Sequence, residues 1–235
     1  MIKLYRFGPG LGLPELSPFC MKVETFMRMF DIQHKSQFIR NPQAGPNGKL
    51  PFIKAEDLLI ADSYLIIDYL VDRFSLDIKH GLSVKALAHG YMMCRMLEEH
   101  YYWILMYSRW VDKTNWPVIK SLLMENMPPG VGSFISLMTR GHVKRQLLAQ
   151  GLGRHKPDVI YQLGCRDLTT VADLLTGSSF VLGEEPTVYD AVAHAFLVGT
   201  LCTKFPSPLQ QHAQSLPVLI EYCERINQRY YPDGD

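Results

Sequence analysis

This 235-residue chain has little net charge, no closely spaced cysteines and no long apolar run. Lys plus Arg (24) almost cancels Asp plus Glu (23), so no broad field draws it to nucleic acid or an anionic membrane. The five cysteines, Cys20, Cys94, Cys165, Cys202 and Cys223, form no CxxC pair. Their odd number and wide spacing argue against a disulfide framework and a zinc site, and make a reducing cytoplasm the expected compartment. The most apolar stretch, residues 191–202, contains His194 and falls short of the roughly 18–20 residues of a membrane span. No anchor is expected after residue 216 either. Residues 1–7 place Lys3 and Arg6 inside an apolar alternation, unlike a secretory signal with its roughly 7–15 apolar residues. Internal repeats and low-complexity tracts are absent. What is present suits a folded chain: 47% apolar and 20% charged residues, at a size that buries roughly 70% of the unfolded surface.

Two periodicities alternate over the first 80 residues. Residues 2–7 read as a short strand. A Gly/Pro-rich loop follows (GPGLGLP), then a helix over 18–30 with Phe19, Val23, Phe26 and Met27 on one stripe. Residues 34–39 read as a second strand, 41–48 as turns, 51–53 and 58–60 as a hairpin, and 62–74 as a second helix. The order β-α-β then β-β-α predicts a mixed sheet covered on both faces, the thioredoxin arrangement. Beyond residue 82 only helical windows appear: 83–112, one from Pro117 stopped by Pro128-Pro129-Gly130, then 132–150, 157–175, 187–200 and 216–229. The expected fold class is therefore α/β plus all-α. A thioredoxin-like unit (residues 1–77) precedes a helical bundle (83–235).

Three short motifs in the first unit can carry chemistry. In Ser17-Pro18-Phe19-Cys20, proline at the first helical position makes Ser17 the N-cap. Capping alone is one reading of Ser17. The same geometry also suits a bound thiol, which would ionise more readily beside free N–H groups and a donating hydroxyl. Cys20, one turn on, reads as a buried small hydrophobe or as a nearby thiol. The first thiol of a dithiol motif is replaced by serine here, which argues against disulfide exchange. In Gly48-Lys49-Leu50-Pro51-Phe52, Pro51 starts a strand. If Leu50–Pro51 is cis, the Leu50 main chain can pair with an extended peptide. Asp62-Ser63 opens the second helix, as cap residues or as the holder of a ligand's carboxylate and ammonium.

Elsewhere, Thr187-x-x-Asp190 reads as a capping box with a folding role. Tyr101, Tyr102, Trp103, Tyr107 and Trp110, with Arg95 and Arg109, crowd one helix. Tyr101 or Tyr107 and one arginine are expected to face the cleft, with Glu98 and Glu99 as salt partners or a solvated face. Gly8-x-Gly10-x-Gly12 has the wrong spacing for a dinucleotide loop. Arg140, His142, Lys144 and Arg145 form a basic patch too small for nucleic acid.

The three motifs, in this order and spacing, resemble the glutathione S-transferase superfamily. The long entry of residues 8–16 (GPGLGLPEL) resembles its failed-axon-connections and metaxin-like branch. The resemblance implies an enzyme that binds glutathione as co-substrate. Ser17 would stabilise the thiolate for attack on a small, hydrophobic electrophile. Leu50 would pair with the cysteinyl part beside a cis Pro51. Asp62 and Ser63 would hold the γ-glutamyl end, with Lys49 reaching a carboxylate. Asp62 stands where the family commonly has glutamate. A homodimer is implied, with no metal, nucleic acid or membrane partner. The alternative implied by metaxin-like relatives is a non-catalytic interaction module.

Overall fold

The computed structural model describes residues 1–39, 41–79, 81–124 and 131–232. Strands β1 (Ile2–Arg6), β2 (His34–Phe38), β3 (Phe52–Ala55) and β4 (Leu58–Ala61) form one sheet in the order β2-β1-β3-β4. The β1–β2 pair is parallel and is joined through helix α1 (Pro18–Met29). β3 runs antiparallel to β1, and β4 to β3. This mixture follows from the connections: parallel strands need a crossover, while a hairpin reverses the chain. Helix α2 (Ser63–Phe74) closes the unit.

Alternation puts Ile2, Leu4, Ile53 and Ala55 on one face of the sheet. They are buried with Val23, Phe26 and Met27 of α1 and Ile66, Ile67 and Leu70 of α2. The opposite face corrects an expectation. Lys3, Lys35, Lys54 and Leu59 stand exposed there. Among the described residues, the β2-to-β3 connection holds only a one-turn 3₁₀ segment, Pro42–Ala44, in place of a covering helix.

Helix α1 is buried nearly all round, polar residues included. Glu24 is 2% exposed and receives Arg28 Nε at 2.8 Å and His34 Nε2 at 3.0 Å. Burial alone would raise its pKa. The His34 bond and the Arg6 charge outweigh burial and hold it at about 2. Burial would lower the His34 pKa, but its bond to Glu24 raises it overall. The Glu24 contribution to stability is present above its unfolded pKa and is lost as pH falls towards 2. The His34 contribution is complete below about 6.5 and fades as pH rises through the higher folded value. His34→Gln is therefore expected to cost roughly 1 kcal/mol, or about 3 °C in Tm, at pH 5.5 and less at pH 9. Melting curves that show an equal loss at both pH values contradict this.

Among the described residues, every named element after α2 is a helix or a helical turn. A continuous run starts with α3 (Val84–Arg95), capped by Ser83. It passes through a π-turn (Met96–Tyr101), α4 (Tyr102–Met106) and a second π-turn (Tyr107–Val111). Helices α5 (Trp116–Met124), α6 (Val131–Gln150), α7 (Pro157–Leu175), α8 (Val188–Leu201), α9 (Pro208–Gln214) and α10 (Pro217–Tyr230) follow. The Pro128-Pro129-Gly130 stop lies outside the described residues. Leu97, Ile104, Ile160, Leu168, Phe196 and Tyr222 centre the second core. Helix α9 was not foreseen: it is short and polar, with only Leu209 and Ala213 buried. Helix α8 packs along α1 and joins the two units.

Candidate functional site

The strand register gathers the three motifs. Tyr5 near the end of β1, Phe52 at the start of β3 and Ala61 at the end of β4 lie side by side. Hence the loop leaving β1, the residue before Phe52 and the first residues of α2 all emerge at one end of the sheet. Ser17, Leu50, Asp62 and Ser63 stand there.

Ser17 caps α1. Its Oγ accepts the Cys20 N–H at 3.4 Å. A hydroxyl that accepts still has its own proton to donate, and the Cys20 sulfur lies within reach of that hydroxyl. Capping and ligand stabilisation are therefore compatible in this side chain. The loop leading to Ser17 is closed on itself. Gly10 and Leu13 bond reciprocally, and Leu16 N–H donates to the Gly8 carbonyl at 3.1 Å. Gly8 has φ +87°, and a Cβ there would sit 2.6 Å from the Phe38 ring, so the loop needs glycine at its first position.

The fastener of this loop is Glu15, which the motif reading missed. Its carboxylate is buried and accepts Gly8 N–H at 2.9 Å and Ser17 N–H at 3.0 Å. Arg6 Nη1 lies 3.6 Å away. Burial pushes the Glu15 pKa up to about 7, against the two N–H donors and Arg6. An acidic residue two positions before an N-cap was the available signal.

Leu50–Pro51 is cis. Among the described residues, the Leu50 main chain lies outside both ladders and forms no hydrogen bond. Its side chain packs with Cys20 and Phe52. Lys49 is exposed. Asp62 caps α2 by accepting Tyr64 N–H at 2.8 Å, and does so at φ +80°. Such a backbone costs of order 1–3 kcal/mol in a non-glycine residue and tends to cluster at functional sites.

Ser63 is 6% exposed, and its Oγ receives Lys22 Nζ at 3.4 Å. Lys22 was also missed, although a lysine inside an otherwise apolar helix signals a buried charge. It pairs with Glu98 at 2.5 Å, and Arg95 bonds the same carboxylate. Glu98 is thus a buried salt partner, while exposed Glu99 meets Arg95 at 3.5 Å. The Arg95 guanidinium also lies over the Tyr64 and Tyr91 rings. Lys22 and Arg95 are balanced by Glu98 and Glu99, so what the α2 N-terminus offers an anion is its own N–H groups with the Lys22 ammonium beside Ser63.

The aromatic expectation fails in its particulars. Tyr101 is fully buried, with its hydroxyl 2.8 Å from Thr200 Oγ1. Tyr107 is buried against Tyr161. Each π-turn inserts a residue relative to 3.6 periodicity, so extrapolation along one regular helix misassigns the faces. Tyr102 is the residue that meets the first unit, edge-on to Phe19 at 5.0 Å. Lys22–Glu98, Phe19–Tyr102 and Leu16–Arg109 line the contact between the start of α1 and the long helix.

Cys20 is fully buried, and burial pushes its thiol pKa far up, with the Glu15 charge adding to the effect. Thiol chemistry at this position is therefore disfavoured. Native protein treated with iodoacetamide at pH 8 is expected to alkylate exposed Cys202 first and to spare Cys20, Cys94 and Cys223. Peptide mass mapping that finds Cys20 modified as fast as Cys202 contradicts this burial.

Residues 18–115 match the glutathione S-transferase N-terminal domain and residues 164–226 its C-terminal domain. The chain belongs to the glutathione S-transferase superfamily. It is 30% identical to Failed axon connections of Drosophila melanogaster over its whole length, spanning 59% of that protein. It is 29% identical to the isoprene-epoxide–glutathione S-transferase of Rhodococcus sp. (strain AD45), covering 98% of this chain and 99% of that one. Metaxin-1 of Mus musculus is 28% identical, over 100% and 77%. These relatives place the chain in the metaxin-like branch. Among solved structures, the β-etherase LigF of Sphingobium sp. strain SYK-6 superposes with TM-score 0.65 at 14% identity, covering 96% and 94%. The thioredoxin-like unit followed by helices is the glutathione S-transferase fold.

Proposed function

We propose that this chain is a glutathione transferase. The observation that carries the reading is the convergence of three groups at one sheet end: the Ser17 hydroxyl at the α1 N-terminus, the open Leu50 main chain beside cis Pro51, and the Asp62-Ser63 cap of α2. Reduced glutathione lies along them as a short added strand on Leu50. Ser63, Lys22 and the α2 N-terminus receive its γ-glutamyl carboxylate, Asp62 its ammonium, and Lys49 its other carboxylate. Its sulfur faces Ser17. The thiol proton leaves to water, and the Ser17 O–H and the first-turn N–H groups stabilise the thiolate. That thiolate attacks an electrophilic carbon. A C–S bond forms, the leaving C–O bond breaks, and the released alkoxide takes a proton from water. The relative that acts on an isoprene epoxide makes a small apolar epoxide the first electrophile to try.

We also assign residues 1–77 and 83–235 as the two domains, a cytoplasmic location for the five free thiols, and a homodimer. Exposed Leu58, Tyr64 and Leu65 on the first unit and Tyr91 and Met92 on the second supply an apolar surface for the second copy.

A second reading is an interaction module without catalysis. It is favoured by the similarity to Failed axon connections and Metaxin-1, whose names state no transfer reaction. Assaying glutathione consumption with a small epoxide separates the two. Saturable, enzyme-dependent conjugation supports the transferase. Glutathione binding without turnover over a panel of epoxides and activated halides supports the module.

A further inference from the structure

Among the described residues, Arg109 forms no ion pair. It is 9% exposed. Nη1 donates to the Leu16 carbonyl at 2.8 Å and Nη2 to the Gly199 carbonyl at 3.0 Å. The ionisable groups that act on it are the phenols of Tyr101 and Tyr102, and burial pushes its pKa down. The loop's own carboxylate, Glu15, accepts the Ser17 N–H on the far side of the Leu16–Ser17 peptide unit and pairs with Arg6 rather than with Arg109. From α8 it meets the Gly199 carbonyl. Two carbonyl dipoles offset only part of the cost of burying a cation.

Its position ties it to the Ser17 segment. The carbonyl it grips belongs to the residue before Ser17, and across that peptide unit the guanidinium lies about 5 Å from the Ser17 nitrogen. Arg109 also sits in the π-turn Tyr107–Val111, and such turns are frequent at functional sites.

We propose that Arg109 is a positioning residue for the transfer reaction: it fixes the Ser17 segment through Leu16 and is the standing countercharge of the thiolate formed there. The inference rests on the glutathione reading above. An anion arriving beside Ser17 then completes a charge pair whose cationic half is already buried and oriented, so no reorganisation is needed when the thiol ionises.

The test is the ultraviolet absorbance of bound thiolate against pH, in wild type, Arg109→Gln and Arg109→Lys, with a melting curve for each. Arg109→Gln is expected to raise the thiol pKa of bound glutathione by about one unit. Arg109→Lys retains the charge and is expected to stay close to wild type in thiol pKa while melting lower, because one carbonyl bond is lost. A folded Arg109→Gln with unchanged thiol pKa overturns the proposal. So does a folded Arg109→Lys that raises it by the full unit, since geometry alone would then explain the effect. If Arg109→Gln does not fold, Arg109→Met takes its place as the charge-free variant: a raised thiol pKa supports the proposal and an unchanged one overturns it. Wild type with no thiolate signal at millimolar glutathione is a distinct result: it removes the glutathione reading, and this inference with it.

Discussion

Ser17→Ala is expected to lower kcat for glutathione conjugation by about 10²-fold, within the range seen when one donor to a developing anion is removed. The Ser17 Oγ uses a lone pair to cap Cys20 N–H, and in the proposed reading its proton turns to the bound thiolate. Its loss leaves the α1 N–H groups and Arg109 to stabilise the thiolate, so activity falls without vanishing. The effect belongs in kcat rather than KM, because the proposed reading assigns the rest of glutathione to Leu50 and the α2 cap. Losing the cap also costs about 1 kcal/mol of stability, roughly 3 °C in Tm, too little to account for the rate. Ser17→Thr keeps the hydroxyl and most of the activity. Steady-state kinetics in which Ser17→Ala matches wild type would leave Ser17 as a helix cap and nothing more.

Asp190→Ala is expected to destabilise the protein by about 3–5 kcal/mol, the range for stripping a buried, fully hydrogen-bonded carboxylate of its role. Asp190 is fully buried. It accepts Thr187 N–H at 2.7 Å, Thr187 Oγ1–H at 2.9 Å, Val181 N–H at 2.9 Å and the Tyr222 hydroxyl at 2.9 Å. It therefore closes the α8 capping box and ties α8 to α10 and to the preceding loop. Alanine leaves these donors buried without acceptors. Because α8 packs along α1, the loss reaches the seam between the two units. A fall in Tm of about 10 °C or more is expected. Asp190→Asn retains the shape but brings an NH₂ against N–H donors, and recovers only part. Calorimetric melting that finds Asp190→Ala within about 1 kcal/mol of wild type, the ordinary cost of a point substitution, would reject this account of the seam.

The Ser17-Pro18 start, the strand alternation of Ile2 and Leu4, and the Thr187–Asp190 box were legible because each is a local rule. The thioredoxin-like order followed, as did the gathering of Ser17, Leu50, Asp62 and Ser63, since antiparallel register forces those loops to one end. Long-range electrostatics were not legible. Nothing local says that Lys22 reaches Glu98 across 76 positions, or that Glu15 folds back on Gly8 and Ser17. The tyrosines were misplaced for a physical reason as well. Two π-turns rotate the long helix away from regular spacing, turning Tyr101 and Tyr107 inward and Tyr102 towards Phe19. The bare outer face of the sheet was missed because a one-turn 3₁₀ segment replaces the crossover helix that the thioredoxin-like order implies.

Isothermal titration of the intact protein with reduced glutathione tests the central claim most directly. The site described here predicts saturable heat with one glutathione per chain at millimolar or tighter affinity, weakened by Lys22→Met, which removes the cation beside Ser63. Absence of heat from folded wild type at millimolar glutathione would contradict it and leave the chain as an interaction module.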